Sequence, residues 1–280
     1  MVSHSISIIE ATVLGVVQGL TEFLPISSSA HLRVVPAVLG WGDPGAAYSA
    51  VLQLGSVVAV IAYFWHYLVR ISLGTITALK KRDYGAEDCR LAFGIIIGTA
   101  PICVIGLLVK KVLEQSDSPL RALWLVGTAS IFMGLLLIVA ELLGKRKRNL
   151  SNMGVLDGLL VGIGQAFALI PGCSRSGSTL TAAMLLGLNR ADAARFSFLL
   201  GIPAIVLSGL VELKELYEVG IGDSGLPALA IGLVASTVVS YLAIDWMIKF
   251  LEKHSTWVFV VYRVIFGIAV IAASSMHLIK

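Results

Sequence analysis

Long apolar runs dominate the chain, and the polar positions between them are few and clustered. Several runs approach or exceed the roughly 20 residues that a helix needs to cross a bilayer. The pattern therefore predicts an all-α polytopic membrane protein with six transmembrane helices. The predicted spans are 48–66, 92–109, 122–143, 196–213, 226–248 and 258–278.

Two other apolar regions, 6–40 and 153–189, follow a different pattern. Each contains an apolar helix, a break at Pro25 or Pro171, and then a helix of about ten residues. Ten residues rise about 15 Å, half of the hydrocarbon thickness, so such a helix cannot cross the membrane alone. Because irregular backbone is tolerated at membrane depth only where protein or a cavity surrounds it, we expect two re-entrant helical hairpins.

The two halves of the chain repeat this arrangement. Pro25 and Gly55 align with Pro171 and Gly201 at the same separation. Each half holds one hairpin and three spans, and an odd number of spans gives the halves opposite orientations in an inverted-topology repeat. The functional site of such proteins usually lies between the repeats, near the midplane. The predicted units are one membrane domain over 1–280, with a first repeat at 1–143 and a second at 144–280.

Composition supports the membrane assignment. Only 14% of residues are charged, against about 25% in soluble domains, and the mean hydropathy is +0.91. The net charge of +4 owes much to two basic runs, 80–82 and 145–148. Such runs can also mark a nucleic-acid surface. In a membrane chain they indicate cytoplasmic loops, so we expect no nucleic-acid partner.

The basic loops also orient the chain. The loops at 67–91 and 144–152 are separated by two spans, so both lie on the cytoplasmic side. The acidic loop at 214–225 then lies outside. Counting back along the spans, the first hairpin enters from the outside and the second from the cytoplasm. Both termini are therefore expected outside.

Two short polar segments, 18–31 and 165–179, lie inside the predicted hairpins. Charged groups are costly to bury in a membrane, so Glu22, His31 and Arg175 are functional candidates. The hydroxyl residues after each proline are placed to cap the short helix that follows. Exposed amides and the dipole at two converging helix N-termini attract anions, and a guanidinium matches phosphate oxygens. The sequence therefore predicts a phosphate site.

Structural interpretations of the same residues remain open. The serines could serve only as helix caps, and Gln18 and Gln165 could bond across a helix interface. Glu22 could be only an ion-pair partner of Arg175, and His31 an interfacial histidine. A purely structural scaffold does not explain the cost of burying both charges.

The two polar segments also resemble a known family. Residues 18–31 are similar to the first signature of the undecaprenyl-diphosphatase family, also called bacitracin resistance proteins, and 171–179 to its second. The run 196–200 resembles a further family segment, and the resemblance covers essentially the whole chain.

The resemblance implies a multi-pass enzyme of the bacterial plasma membrane, with its site facing outward. Such an enzyme hydrolyses undecaprenyl diphosphate to undecaprenyl phosphate and inorganic phosphate. This recycles the lipid carrier for peptidoglycan synthesis and cell-wall biogenesis, and hence supports cell shape and resistance to bacitracin. A divalent cation, Mg²⁺ or Ca²⁺, is the implied cofactor. The expected partners are a polyprenyl diphosphate lipid and the bilayer, and two copies of the chain could form a homodimer.

The resemblance also assigns roles to residues. The implied catalytic residues are Glu22, Ser28, His31 and Arg175. The phosphate-binding candidates are Ser27, Ser29, Ser174, Arg175, Ser176 and Thr179. The metal candidates are Glu22 and Gln18, although many family members have a second glutamate at the latter position.

Two questions stay open from the sequence. Ser28 is either the nucleophile or a phosphate ligand, and His31 is either the base for that step or the acid that protonates the leaving group. The rival function is a secondary transporter or flippase of a phosphorylated lipid, because inverted repeats with broken helices are typical of transporters.

Overall fold

The computed structural model describes residues 6–42, 46–114, 122–219, 225–276 and 278–279. These residues form eleven α-helices and contain no β-strand. The helices are α1 (Ile8–Phe23), α2 (Ser28–Leu39), α3 (Ala46–Tyr63), α4 (Trp65–Lys81), α5 (Glu87–Glu114), α6 (Leu123–Leu143), α7 (Val155–Ala166), α8 (Arg175–Leu185), α9 (Arg190–Val219), α10 (Gly225–Lys253) and α11 (Trp257–Ser275).

The all-α polytopic architecture is confirmed. Five helices of the described chain are long and apolar enough to cross a membrane: α5, α6, α9, α10 and α11. The sixth predicted span, 48–66, corresponds to α3, which passes the same test only together with α4. Several helices extend beyond their predicted apolar cores, because α5 and α9 begin with charged turns that remain helical.

The prediction of a loop over 67–91 was wrong. Helix α4 occupies most of it and is bent by 71° from α3. An amphipathic helix needs only one apolar stripe, so its mean hydropathy can be low and its basic end can resemble a loop. The predicted acidic loop at 214–225 is also shorter, since α9 continues to Val219 and residues 220–224 lie outside the described part of the chain.

The hairpins predicted at 6–40 and 153–189 are the helix pairs α1–α2 and α7–α8. Their helices are 16, 12, 12 and 11 residues long, so each is too short to be a full crossing. Turns containing Pro25 and Pro171 separate the two helices of each pair, as expected for a residue that lacks a backbone donor.

The main helix contacts join the first half of the chain to the second half. Helix α1 packs along α10, α7 packs along α5, and α6 packs on α11. Glycines allow these close approaches: a Cβ at Gly127 would lie 2.7 Å from the carbonyl oxygen of Gly267, and the reverse distance is 2.6 Å. The division into repeats at 1–143 and 144–280 stays a prediction.

The end of α1 is held by the main apolar core. The rings of Phe23 and Phe198 meet edge to face, with centroids 5.1 Å apart. Both side chains are fully buried in the core that α6, α8, α9 and α10 share. This contact fixes the last turn of the first hairpin helix against α9, next to the polar residues of the hairpin turn.

The α5–α7 contact allows a matched test of glycine packing. A methyl group at Gly98 would overlap the backbone of Gly158, whereas one at Gly106 would meet only a leucine side chain 3.6 Å away. We expect Gly98→Ala to destabilise the protein by about 1–3 kcal/mol, measured as a lower midpoint of thermal unfolding in detergent. Gly106→Ala should be neutral or slightly stabilising, because alanine is the better helix former. Equal midpoints for the two variants would contradict this packing.

Candidate active site

The turns of the two hairpins meet at Arg263 of α11. This side chain is fully buried, with 1% of its surface exposed. Its guanidinium donates to the carbonyl oxygens of Pro25 and Gly172, both at 2.8 Å, and of Cys173 at 3.1 Å. Its Nε donates to the carbonyl of Ser130 at 3.0 Å. One arginine therefore joins both hairpin turns to α6.

These bonds satisfy a strict requirement of the membrane interior. Carbonyl groups in a turn lose their helical partners, and each would cost several kcal/mol if left unpaired in hydrocarbon. Arginine offers five N–H donors in a fixed plane, which suits several carbonyls at once. In the part of the chain that the structure describes, Arg263 forms no ion pair, so its positive charge remains uncompensated beside the turns.

Glu22, in the last turn of α1, is the centre of the polar cluster. Its Oε2 accepts hydrogen bonds from Gln18 Nε2 at 2.9 Å and from Ser28 Oγ at 2.6 Å. Its Oε1 lies 3.1 Å from a terminal nitrogen of Arg175, and both side chains of this ion pair are at most 10% exposed. The structure therefore brings residues of both predicted polar segments to one point.

Arg175 is positioned by α9 as well as by Glu22. Its other terminal nitrogen lies 3.4 Å from the carbonyl oxygen of Ser197. A Cβ at Gly201 would overlap the guanidinium, so Arg175 can occupy this position only beside a glycine. The Nε of Arg175 is buried without a partner among the described residues. The arginine thus keeps a free donor inside the site.

Ser27 and Ser174 occupy the N-cap positions of α2 and α8 in an unusual backbone conformation. Their φ angles are +75° and +71°, the left-handed region that non-glycine residues rarely adopt. Ser174 Oγ accepts a hydrogen bond from the amide of Gly177 at 3.1 Å, as the predicted cap requires. Ser27 makes no such bond, and its Oγ lies 3.2 Å from Ser29 Oγ. Strain of this kind costs about 1–3 kcal/mol per residue and is common at functional sites.

The hydroxyls of the second segment have partners within the protein. Ser176 Oγ donates to the carbonyl of Leu24 at 2.9 Å, which ties α8 to the first hairpin turn. Thr179 Oγ1 donates to the carbonyl of Arg175 at 2.8 Å and also contacts the hydroxyl of Ser197. Phosphate binding by Ser176 and Thr179 therefore stays a prediction.

His31 lies one turn beyond Ser28 on α2. Its Nδ1 is 2.7 Å from the carbonyl oxygen of Ser27, which can only accept, so Nδ1 carries a proton. Its Nε2 is 2.6 Å from the hydroxyl of Tyr262, and the ring stacks on Phe266 at 4.4 Å. The Ser28 hydroxyl bonds to Glu22 instead, so Glu22 is the group placed to accept its proton.

A divalent cation would find few protein ligands here. No group of three or more His, Cys, Asp or Glu side chains suited to a metal occurs in the described ranges. Gln18 Oε1 is buried and has no partner there, and it belongs to the residue one turn before Glu22. One carboxylate and one amide oxygen fit a hard cation only if substrate phosphates supply further ligands.

Sequence reasoning missed several residues of the site. In the sequence, Tyr262 and Arg263 are a polar pair inside the predicted span 258–278, and the pattern assigns them no role. Gly201 was recognised as a repeat position and not as space for a guanidinium. Of the two glutamines considered for a bond across a helix interface, Gln18 donates to Ser56 Oγ of α3 at 3.4 Å. Neither polar atom of the buried Gln165 amide has a partner among the described residues.

Comparison with known proteins matches nearly the whole chain. The family model described as bacitracin resistance protein BacA matches residues 11–269. The undecaprenyl-diphosphatase of Trichormus variabilis is 54% identical over 278 residues, covering 99% of this chain and 87% of that protein. That of Gloeobacter violaceus is 58% identical over 264 residues, covering 94% and 91%. That of Synechococcus elongatus is 56% identical over 265 residues, covering 94% and 92%.

The role of Arg263 as the joint of the two turns can be tested by stability. Arg263→Met leaves several buried carbonyls unpaired at about 1–3 kcal/mol each, so we expect a large fall in the midpoint of thermal unfolding. Arg263→Lys keeps the charge with fewer donors, so its midpoint should lie between those of Arg263→Met and the unchanged protein. Tyr262→Phe, its neighbour on the same helix, removes one hydroxyl and should change the midpoint little. A midpoint for Arg263→Met like that of the unchanged protein would disprove the joint.

Proposed function

This chain belongs to the bacitracin resistance protein BacA family, and we infer that it is an undecaprenyl-diphosphatase. It is a multi-pass membrane enzyme that hydrolyses undecaprenyl diphosphate to undecaprenyl phosphate and inorganic phosphate. The reaction regenerates the lipid carrier for cell-wall synthesis and confers resistance to bacitracin. The observation that carries this inference is the convergence of Glu22, Ser28 and Arg175 from the two hairpins.

The charges of the cluster favour an anionic ligand. The cluster holds two guanidiniums, that of the fully buried Arg263 and that of Arg175, whose side chain is 10% exposed, and only one carboxylate, that of Glu22. The N-termini of α2 and α8 add the positive ends of two helix dipoles. Diphosphate carries several negative charges, and phosphoryl transfer depends mainly on neutralising and positioning them.

Substrate binding begins with an exchange of partners at Arg175. Its guanidinium and the N-terminus of α8 bind the terminal phosphate, and the free Nε provides a donor that the protein alone does not use. Ser27, Ser29 and Ser174 bring hydroxyls to the rims of the two helix ends. When the phosphate binds to Arg175, the Oε1 of Glu22 is released from its ion pair.

Ser28 then acts as the nucleophile. Its hydroxyl donates to Glu22 at 2.6 Å, so Glu22 takes the proton while Oγ forms a bond to the terminal phosphorus. The bond from that phosphorus to the bridging oxygen breaks, and undecaprenyl phosphate leaves with the electron pair.

A water molecule completes the cycle. It attacks the phosphoserine and gives a proton to Nε2 of His31, after the Tyr262 hydroxyl has turned away. The bond between phosphorus and Ser28 Oγ breaks, Glu22 returns its proton to that oxygen, inorganic phosphate leaves, and His31 releases the proton from water to solvent.

Glu22 and Gln18 would hold Mg²⁺ or Ca²⁺ together with oxygens of the bound diphosphate. When bound, the cation offsets negative charge on the transferring group. The unpartnered Oε1 of Gln18 supports this assignment.

We place the protein in the bacterial plasma membrane with its site open to the outer face and both termini outside. The basic residues of 80–82 and 145–148 support a cytoplasmic position for the helix ends that carry them, on the side opposite to the proposed opening of the site. The prenyl tail stays in the bilayer beside the hairpins. Association into a homodimer stays a prediction.

The phosphate-binding role of Arg175 can be tested with purified protein and undecaprenyl diphosphate in detergent. We expect Arg175→Ala to lower the rate of phosphate release by about 10³-fold or more without loss of the folded state by circular dichroism. Arg195→Ala is the matched control, because Arg195 is paired with Asp192 and Glu252 away from the site and should retain activity. Full activity of Arg175→Ala would remove the phosphate site. Absence of phosphate release by the unchanged protein would favour a flippase, because transport needs two compartments and hydrolysis does not.

Ser28→Ala separates a nucleophile from a ligand. Loss of a nucleophile should lower the rate by roughly 10⁴-fold or more, and acid quenching with substrate labelled in its terminal phosphate should no longer trap label on the protein. Ser29→Ala, at the next position, should lose far less and should still trap label. A loss of about a hundredfold or less in Ser28→Ala would indicate a phosphate ligand instead.

A further inference from the structure

Helix α4 carries an apolar stripe that faces away from the protein. Trp65, Val69, Leu73, Ile76 and Leu79 are spaced by three or four residues and are between 38% and 60% exposed. At 100° per residue these positions fall on one side of the helix. A continuous exposed stripe of this kind indicates an interaction surface, whereas apolar residues exposed singly do not.

The opposite face of α4 packs on the protein. Ile71 and Ala78 are 5% exposed, and the Thr75 hydroxyl donates to the carbonyl of Asp88 at 3.0 Å. Gly74 fits against the Asp88 side chain, where a Cβ would overlap it. The exposed stripe therefore does not face a neighbouring helix of the described chain.

Contacts to the charged first turn of α5 hold α4 in place. Arg70 lies 3.8 Å from Glu87 and 3.5 Å from Asp88, the acidic first turn of α5. Helix α4 also departs by 71° from α3, which it follows directly. It therefore leaves the direction of α3 and lies beside the charged first turn of a spanning helix, and such charged ends are expected at the membrane surface.

The end of α4 carries free positive charge. Lys80, Lys81 and Arg82 are exposed and form no ion pair with any other described residue, whereas the charge of Arg70 is already engaged. Asp83, which follows, offsets only part of this charge. Basic groups at a membrane surface attract the anionic headgroups of lipids.

We propose that α4 is an interfacial helix that binds an anionic phospholipid surface. The apolar stripe inserts among the acyl chains, and Lys80, Lys81 and Arg82 lie among the headgroups. The stripe contacts lipid rather than a second copy of the chain, because it is bordered by uncompensated cations. Pairing two copies through this stripe would bring these like charges together. The proposal does not depend on the phosphatase activity.

The depth of the stripe can be measured with the full chain in phospholipid nanodiscs. A variant in which Cys89, Cys103 and Cys173 are replaced receives one spin label, at Leu73→Cys or Ile76→Cys. Labels are read by collision with oxygen, which prefers lipid, and with a water-soluble nickel chelate. We expect the stripe to lie about 5–10 Å below the headgroup boundary.

Two positions calibrate that measurement. Tyr84→Cys, in the exposed turn after α4, should be accessible to the nickel chelate. Ile96→Cys, exposed on the apolar face of α5, should be accessible only to oxygen. A stripe as accessible to nickel as Tyr84→Cys would overturn the proposal. So would a stripe shielded from both reagents with dipolar broadening between copies, which would indicate a dimer interface.

The choice of anionic lipid has its own test. Replacing neutral phosphatidylcholine by anionic phosphatidylglycerol should reduce nickel access at Leu73→Cys severalfold, and Lys80→Gln/Lys81→Gln should abolish this response. Lys145→Gln/Lys147→Gln removes equal charge from the neighbouring exposed loop and should preserve it. An equal loss in both double variants, or no lipid response in the parent, would refute binding of anionic lipid by α4.

Discussion

The structure depends on how backbone carbonyls are satisfied where two hairpins end inside a membrane. Each turn lacks the helical hydrogen bonds of its neighbours, and hydrocarbon offers no replacement. Arg263 supplies donors to both turns from a third helix, so the two hairpins share one joint. The cost is a buried cation without a carboxylate, and this cation lies beside the hairpin turns at the proposed phosphate site.

The residues of the proposed reaction are positioned by that joint. With the turns fixed together, Glu22 at the end of α1 and Arg175 at the start of α8 form an ion pair, and Ser28 at the start of α2 reaches the same carboxylate. Ser27 and Ser174, which have positive φ angles, lie where each hairpin reverses direction and its second helix begins. Packing of Phe23 on Phe198 keeps the supporting turn of α1 in place.

Local sequence patterns predicted much of this arrangement, and long-range contacts account for what they did not. Apolar length predicted the spans, the prolines predicted the hairpins, and the cost of buried charge singled out Glu22 and Arg175. The amphipathic α4 was taken for a loop, because its mean hydropathy is low. Neither the Arg263 contacts nor the bond between His31 and Tyr262 could be predicted, since these partners are separated by 90 to 238 residues and by 231 residues, respectively.

The ion pair of Glu22 and Arg175 has a consequence for turnover. Because the carboxylate of Glu22 already occupies one terminal nitrogen of the Arg175 guanidinium, a phosphate that binds there in the proposed way must displace it. A lipid diphosphate can do so with its larger charge and its anchored tail. Free inorganic phosphate has neither advantage, so under the proposed mechanism we expect the returning carboxylate to expel it and product inhibition to be weak.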